Sequence, residues 1–373
     1  MLLNSIELEN ILSFKHTKLE LRPLNVLIGA NASGKSNLIR AFGLAKSLPG
    51  DLQGQISQGG GPLGWINRRR RNSIARITLE LPPATDVDGG TVPFVYSLAF
   101  RLTGETYEIV DESYSDEFER HTDHNVNLFG DGRSFRAPAT QTALSQIRHP
   151  SEAEITELAD GLDAIRLYQE FQTGPMTTTR TGIMASALAE QLSPAGNNLA
   201  LVLNRLQRQG LREPINKWLN RFFDRFAEVI IDTPGGISQL FVREKDIKDA
   251  FSAVSLSDGT LRLLCLLAVF LDPARSTLVC IEEPEIGMHP DAIRMVAELL
   301  LEASSRMQLV VTTHSPALID ALSDQPESIV VCERDPDGFT KFNRLKSADL
   351  DEWLERYSLG QLWQKGEIGG NRW

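Results

Sequence analysis

Cysteine is scarce in this 373-residue chain: Cys265, Cys280 and Cys332 are widely spaced, and each sits in an apolar run. Such thiols read as buried small hydrophobes, which excludes a disulfide framework and a sulfur-ligated zinc site. Long apolar runs are missing as well. The longest, Leu263 to Leu271, falls far short of the roughly 20 residues that span a bilayer, so no transmembrane helix is expected. Met1-Leu2-Leu3-Asn4 has no cationic segment ahead of an apolar stretch, so no cleaved secretion signal is expected and the expected compartment is the cytoplasm. Basic charge is in deficit, with Lys+Arg 38 against Asp+Glu 49 and a net charge of −11. That balance excludes a general polyanion binder coated in basic residues and leaves room for a local basic groove. Internal repeats and sustained heptads are also lacking. What remains is an ordinary globular composition, 42% hydrophobic and 23% charged, long enough for two or three units or one large α/β domain with insertions.

The pattern along the chain suggests three parts. In residues 1–149, Ile6 and Leu8, then Leu19 and Leu21, alternate with polar residues as in strands, and Leu24 to Ile28 is an apolar run ending in Gly29. From Lys35 to Lys46, Leu38, Ile39, Phe42 and Ala45 recur at helical spacing. Residues 49–73, rich in Gly, Gln and Arg, read as an exposed loop, and β-type runs near 74–81, 94–102 and 105–110 suggest a small antiparallel sheet. Residues 150–254 read as a helical subdomain, with Ile155, Leu158, Leu162, Ile165 and Leu167 as one helical series, followed by connecting strands. Residues 255–373 alternate β and α, the pattern of a parallel sheet covered by helices.

Gly29-Ala30-Asn31-Ala32-Ser33-Gly34-Lys35-Ser36 matches G-x-x-x-x-G-K-[ST] between an expected strand and an expected helix, the context this motif requires. Gly29 and Gly34 let successive N–H groups point into one concavity, and the helix end near Lys35 adds its positive dipole. Phosphate oxygens fill such a nest. Lys35 is expected to reach the β- and γ-phosphates, and the Ser36 hydroxyl to be a ligand of Mg²⁺. Residues Gly29 through Asn37 are therefore the expected nucleotide-binding set.

Leu278 to Ile281 runs into Glu282-Glu283-Pro284-Glu285, which puts carboxylates at the C-terminal end of a buried parallel strand, where open α/β sheets bind ligands. Neighbouring side chains of a strand face opposite ways, so Glu282 is expected near Mg²⁺ and Glu283 toward the attacking water. Pro284 is expected to hold Glu283 extended. Ser257-Asp258-Gly259 precedes an apolar helix. Ser257 is a natural N-cap there, and the same helix end is an anion site. His314 follows the strand Leu309 to Val311; a lone histidine at a strand end is more often structural than catalytic.

Taken together and in order, four segments resemble ABC-type ATPase heads. They are the phosphate loop, Ser255-Leu256-Ser257-Asp258-Gly259-Thr260, Ile281 to Pro290, and Thr312-Thr313-His314-Ser315-Pro316. The chain looks most like the AAA-family ATPases grouped with RecF, SMC and OLD proteins, over nearly its whole length. The resemblance implies an α/β P-loop fold with a mixed sheet core, an antiparallel β lobe and a helical subdomain. It implies two heads enclosing two ATPs as a homodimer, with Ser257, Asp258 and Gly259 of one copy capping the γ-phosphate held by Lys35 of the other. His314 would touch that same phosphate, catalysis resting on Glu283, His314 and Lys35. The segment Glu285 to His289 would be the loop through which the two sites sense each other. The loop between lobes should carry a glutamine beside the metal, and Gln146 is the residue assigned to it.

Two departures stand out. Glu282 occupies a position usually held by Asp, and Ser-Asp-Gly-Thr replaces the common Ser-Gly-Gly-Gln. The separation of phosphate loop and signature is longer than in transporter subunits and far shorter than in SMC proteins. Few residues follow His314, so the Toprim nuclease domain of OLD proteins is not expected in this chain. The expected role is a dimeric ATP-hydrolysing switch in DNA maintenance or phage defence. It would control a separate nuclease or effector, with DNA and a higher oligomer as further candidate partners. The alternative is a cytosolic ATPase subunit coupled to a membrane partner. Arg68 to Arg71, after Trp65, is the one basic run suited to a phosphate backbone, with Lys245 and Lys248 as scattered supporters.

Overall fold

The computed structural model describes residues 3–67, 69, 74–85, 91–115, 140–146, 153–273 and 278–370. Short segments of branched apolar residues build its centre. Leu24–Ile28 and Gln308–Thr312 are buried at every position, as strands covered on both faces must be. They belong to a six-stranded sheet whose order is Thr340–Arg344, Ile329–Arg334, Leu24–Ile28, Gln308–Thr312, Leu278–Glu282, Arg166–Tyr168. All neighbours are parallel except the edge strand Thr340–Arg344, so the sheet is mixed.

The two-residue period of a strand sorts side chains onto two faces. Val26, Ile28, Val279, Ile281, Leu309 and Val311 enter one apolar cluster, with the helices Asp258–Phe270 and Pro290–Ser304 packed on it. Leu27, Cys280, Val310, Val330 and Cys332 enter the other, against the helix Lys35–Ser47 and the β lobe. Each fully buried Leu, Val or Ile contributes roughly 1.5–3 kcal/mol relative to exposure. All three cysteines are free and buried in these layers.

The β lobe is a five-stranded antiparallel sheet in the order His16–Glu20, Ser5–Glu9, Ala75–Thr85, Thr91–Thr103, Thr106–Ser115. It is larger than the sequence suggests because the two N-terminal strands join it. A third sheet combines Ile183–Met184, Phe226–Asp232, Ile237–Glu244 and Ala250–Ser252.

Two expectations are corrected. The helical series does not run to Leu167: the helix Ala153–Asp163 ends where Lys46 Nζ captures the carbonyls of Asp163 (3.2 Å) and Ile165 (2.6 Å). The chain then forms the strand Arg166–Tyr168, which pairs with Leu278–Glu282. Residues 49–73 are not simply an exposed loop, since Leu52–Gln58 is a helix capped by Asp51. Trp65 is fully buried with its Nε1 donating to Ile56 O at 3.2 Å. Leu24–Ile28 lies between two strands from beyond residue 300, so the first and last parts of the chain share the central sheet. Among the described residues no helix is long and apolar enough to cross a membrane.

Candidate functional site

The phosphate loop leaves its strand at Gly29, with φ of 149°, and enters the helix at Gly34, with φ of 117°. A Cβ on Gly29 would stand 2.3 Å from Cys332 O, and one on Gly34 would stand 2.1 Å from Thr340 Oγ1. Both glycines are thus required by backbone angle and by space. Thr340 Oγ1 holds the loop from beneath, donating to Ser33 O at 2.7 Å, and Arg334 Nε donates to Ala32 O at 2.7 Å. Asn37 Nδ2 donates to Ser13 Oγ at 2.8 Å. Neither Thr340 nor Arg334 carries a sequence signal; the loop's partners come from the far end of the chain.

Lys35 is buried and donates to Gly29 O (2.7 Å) and Ala30 O (3.1 Å). Burial lowers its pKa, opposed by Glu283 and Glu282. An incoming phosphate would compete for an ammonium already aimed along the loop. Ser33 Oγ is buried without a hydrogen-bond partner among the described residues, and such an orphan at the floor of a nest suits an anion. Ala30, Asn31 and Ala32 line the rim, exposed or half-exposed.

Across the sheet, Ser36 Oγ donates to Glu282 Oε2 at 2.8 Å, and Gln169 Nε2 donates to Glu282 Oε1 at 3.0 Å. Gln169 follows the short strand Arg166–Tyr168, so strand pairing delivers its amide to Glu282. Gln146, by contrast, donates to Gln141 Oε1 at 2.7 Å in an exposed turn. No described hydrogen bond joins it to Ser36 or Glu282. The sequence did not single out Gln169 as the glutamine that meets Glu282, because its strand is three residues long and continues a helix-like apolar pattern. Hydroxyl, carboxylate and amide oxygens form a hard donor set of the kind Mg²⁺ takes.

Glu283 is not extended. Its φ is +44°, its N–H donates to Thr312 O at 2.9 Å, and Ile286 N donates to Glu283 O at 3.1 Å, closing a turn. A left-handed non-glycine residue at a strand end stores strain of about 1–3 kcal/mol, a pattern common at functional sites. The turn brings Glu283 Oε1 to 4.0 Å from His314 Nε2, both side chains about one-third exposed. Burial, then the Lys35 charge, hold His314 below the ordinary imidazole pKa, with Glu283 opposing.

Ser257 N-caps the helix Asp258–Phe270, its Oγ accepting from Thr260 N at 3.2 Å. Buried Arg180 grips the approach to this cap, donating to the carbonyls of Ala253 (3.0 Å) and Leu256 (2.6 Å) and to Asp258 Oδ1 (2.7 Å). That bond is the main reason the Asp258 carboxyl lies below its usual range. Gly259 backs onto the loop after Glu283: a Cβ there would meet Gly287 O at 2.5 Å. No described hydrogen bond ties Ser257, Asp258 or Gly259 to the phosphate loop of the same chain.

Beside the helix Lys35–Ser47 opens a cavity of about 350 Å³ lined by Ser13, Asn37, Arg40, Arg69, Arg334 and Phe339, among others. The Arg69 guanidinium lies 5.7 Å from the Phe339 ring centroid. Arg68, Arg70 and Arg71 lie outside the described residues. Lys245 and Lys248 are exposed beyond the strand Ile237–Glu244.

A phosphate loop at the centre of a mixed sheet, carboxylates ending the strand two places away and a serine-capped helix define an ABC-type P-loop ATPase head of the RecF, SMC and OLD group. Within that class, residues 24–320 match the family described as "AAA domain, putative AbiEii toxin, Type IV TA system", and the chain belongs to it. It is similar to the Old nuclease of Escherichia phage P2, 25% identical over 364 residues, covering 89% of this chain and 59% of that protein. It is also similar to an ATP/GTP phosphatase of Helicobacter pylori, 29% identical over 144 residues, covering 37% of this chain and 36% of that one. The chain thus spans about three-fifths of the phage relative's length. An SMC head solved bound to the C-winged helix domain of ScpA shares the fold, with TM-score 0.56, 15% identity, and 94% and 99% of the two chains covered.

Proposed function

We propose that this chain hydrolyses ATP as a dimeric switch, two copies enclosing two nucleotides, and that the cycle controls a nuclease or effector in DNA maintenance or phage defence. The observation that carries the reading is the convergence of Ser36, Glu282 and Gln169, with Glu283 and His314 on the adjoining strand ends. The names of the relatives, a nuclease and an ATP/GTP phosphatase, support nucleotide hydrolysis coupled to nucleic acid. The arginine-lined cavity beside Asn37 is where the ribose and base of a nucleotide seated in the loop would extend.

Ser36, Glu282 and Gln169 would hold Mg²⁺, which neutralises phosphate oxygens when bound; Gln169 takes the part assigned from sequence to Gln146. Lys35 binds the β- and γ-phosphates through its ammonium. Glu283 orients the attacking water in line with the γ-phosphate and accepts its proton, and the neutral His314 donates to the charge spreading over the phosphoryl oxygens. Ser257 and the Gly259 amide of the second copy close the site, excluding water and supplying a helix N-terminus to the same phosphate.

Glu283→Gln tests this reading. It keeps shape and the turn but removes the base, so ATP should still bind while turnover falls about 10²–10⁴-fold and the ATP-bound dimer accumulates in size-exclusion chromatography. Wild-type turnover in that variant would refute the assignment. Proteins or nucleic acids retained by the stalled form would identify the partner, and a membrane protein among them would favour coupling to a membrane.

A further inference from the structure

Glu285 is the one carboxylate of the Glu282 to Glu285 segment that the reaction above does not use, yet it is the most buried of the three, 8% exposed. Its Oε1 accepts from the Thr313 hydroxyl, while Oε2 is buried without a partner among the described residues. The backbone N–H groups of Glu285 and His314 also favour this carboxyl, yet burying it is costly, and a purely structural position would be filled more cheaply by an apolar or hydroxyl side chain.

Thr313 is fully buried, and its backbone N–H donates to Leu27 O at 3.1 Å, on the strand that feeds the phosphate loop. The same hydroxyl that reaches Glu285 accepts from Ser315 N at 2.9 Å. The turn Thr313-His314-Ser315 is therefore pinned on both sides of the histidine. On the other side of Glu285, Met288 N donates to Glu285 O at 3.1 Å, and Gly287 O lies against Gly259 of the signature helix. Through its carboxyl Glu285 meets the turn bearing His314, and through its backbone carbonyl it meets the loop that touches the signature.

We propose that Glu285 is a positioning residue for ATP hydrolysis: through Thr313 it locks the His314 turn so that the imidazole stands beside Glu283. This rests on the ATPase reading above. A shift of the imidazole by about 1 Å is enough to cost on the order of 10²-fold in rate without touching substrate binding. Burial raises the Glu285 carboxyl above its ordinary range, with the Thr313 bond opposing, and glutamine keeps its shape and an acceptor oxygen for the Thr313 hydroxyl.

The test compares the full chain with Glu285→Ala, Glu285→Gln, Thr313→Val and the Glu285→Ala/Thr313→Val double variant. The readouts are ATP turnover, thermal midpoint and the His314 imidazole resonances, identified by their loss in His314→Asn. Glu285→Ala and Thr313→Val should each lower kcat tenfold or more with KM for ATP within threefold. The double variant should be no slower than the slower single, and Glu285→Gln should recover to within threefold of the unaltered chain. The His314 resonances should move in Glu285→Ala and return in Glu285→Gln. Unmoved resonances overturn the proposal whatever the turnover, as does a folded Glu285→Ala with unaltered kcat or a loss confined to KM. If Glu285→Ala does not fold, Thr313→Val decides alone, by the same criteria. A chain that hydrolyses no ATP refutes the ATPase reading, and the imidazole resonances then still decide whether Glu285 sets the His314 turn.

Discussion

Replacing Gly34 by alanine adds one methyl group at the point where the phosphate loop turns into its helix. Its φ of 117° is a conformation that L side chains avoid, and forcing one there costs about 1–3 kcal/mol. The new Cβ would stand 2.1 Å from Thr340 Oγ1, 2.8 Å from Thr340 Cγ2 and 3.0 Å from Ser13 Oγ. Thr340 cannot simply swing away, because Oγ1 donates to Ser33 O at 2.7 Å and also bonds Ser13 Oγ at 2.7 Å. Overpacking of this kind adds about 1–3 kcal/mol, and breaking the bond to Ser33 adds about 1 kcal/mol. The sum, roughly 3–7 kcal/mol, is a large part of the ~5–15 kcal/mol that holds a typical domain folded. Thr340→Ala separates the terms, since it removes the clashing atoms and leaves the φ strain. Urea unfolding of the two singles and the double should show Gly34→Ala as the costliest single. The double should cost less than the sum by at least about 1 kcal/mol, and ATP affinity should fall in both variants carrying alanine at position 34. A Gly34→Ala cost under about 1 kcal/mol, or additivity within about 0.5 kcal/mol, would refute the account of why this glycine is required.

Gln169→Ala should weaken the Mg²⁺ dependence of turnover and lower kcat roughly tenfold or more, while Gln146→Ala should leave both within twofold; Mg²⁺ titrations of ATPase rate decide between them. His314, with its pKa held down by burial and Lys35, makes the folded state less stable as pH falls below the ordinary imidazole value near 6.5. There the unfolded chain takes up a proton that the folded chain resists. Denaturation midpoints between pH 7 and 5 should therefore fall less steeply in His314→Asn than in the unaltered chain, and equal slopes would exclude His314 as the source.

How much was legible depended on whether a feature is local. The phosphate loop could be read because one octapeptide carries both its glycines and its cation, and the helix cap at Ser257 because capping needs only four consecutive residues. The acids at 282 and 283 could be read because a buried apolar run identifies the strand that presents them. The conformation of Glu283 could not: the proline after it argues for an extended backbone, and the bonds from its N–H to Thr312 and from Ile286 to its carbonyl override that preference. Gln169 was hidden for a related reason, since a three-residue strand has no periodicity to detect.

From its amino acids alone this chain determined which groups it carries: a glycine-framed phosphate-loop motif with its lysine, and carboxylates at a strand end. Tertiary structure decided which groups meet. Ser36 and Glu282 are 246 positions apart, Gln169 and Glu282 are 113 apart, and Thr340 reaches Ser33 across 307. Contacts of that separation are set by strand order and register in the central sheet. Many distant segments compete for each place in that order, and burial of the whole core, rather than any local spacing, selects among them.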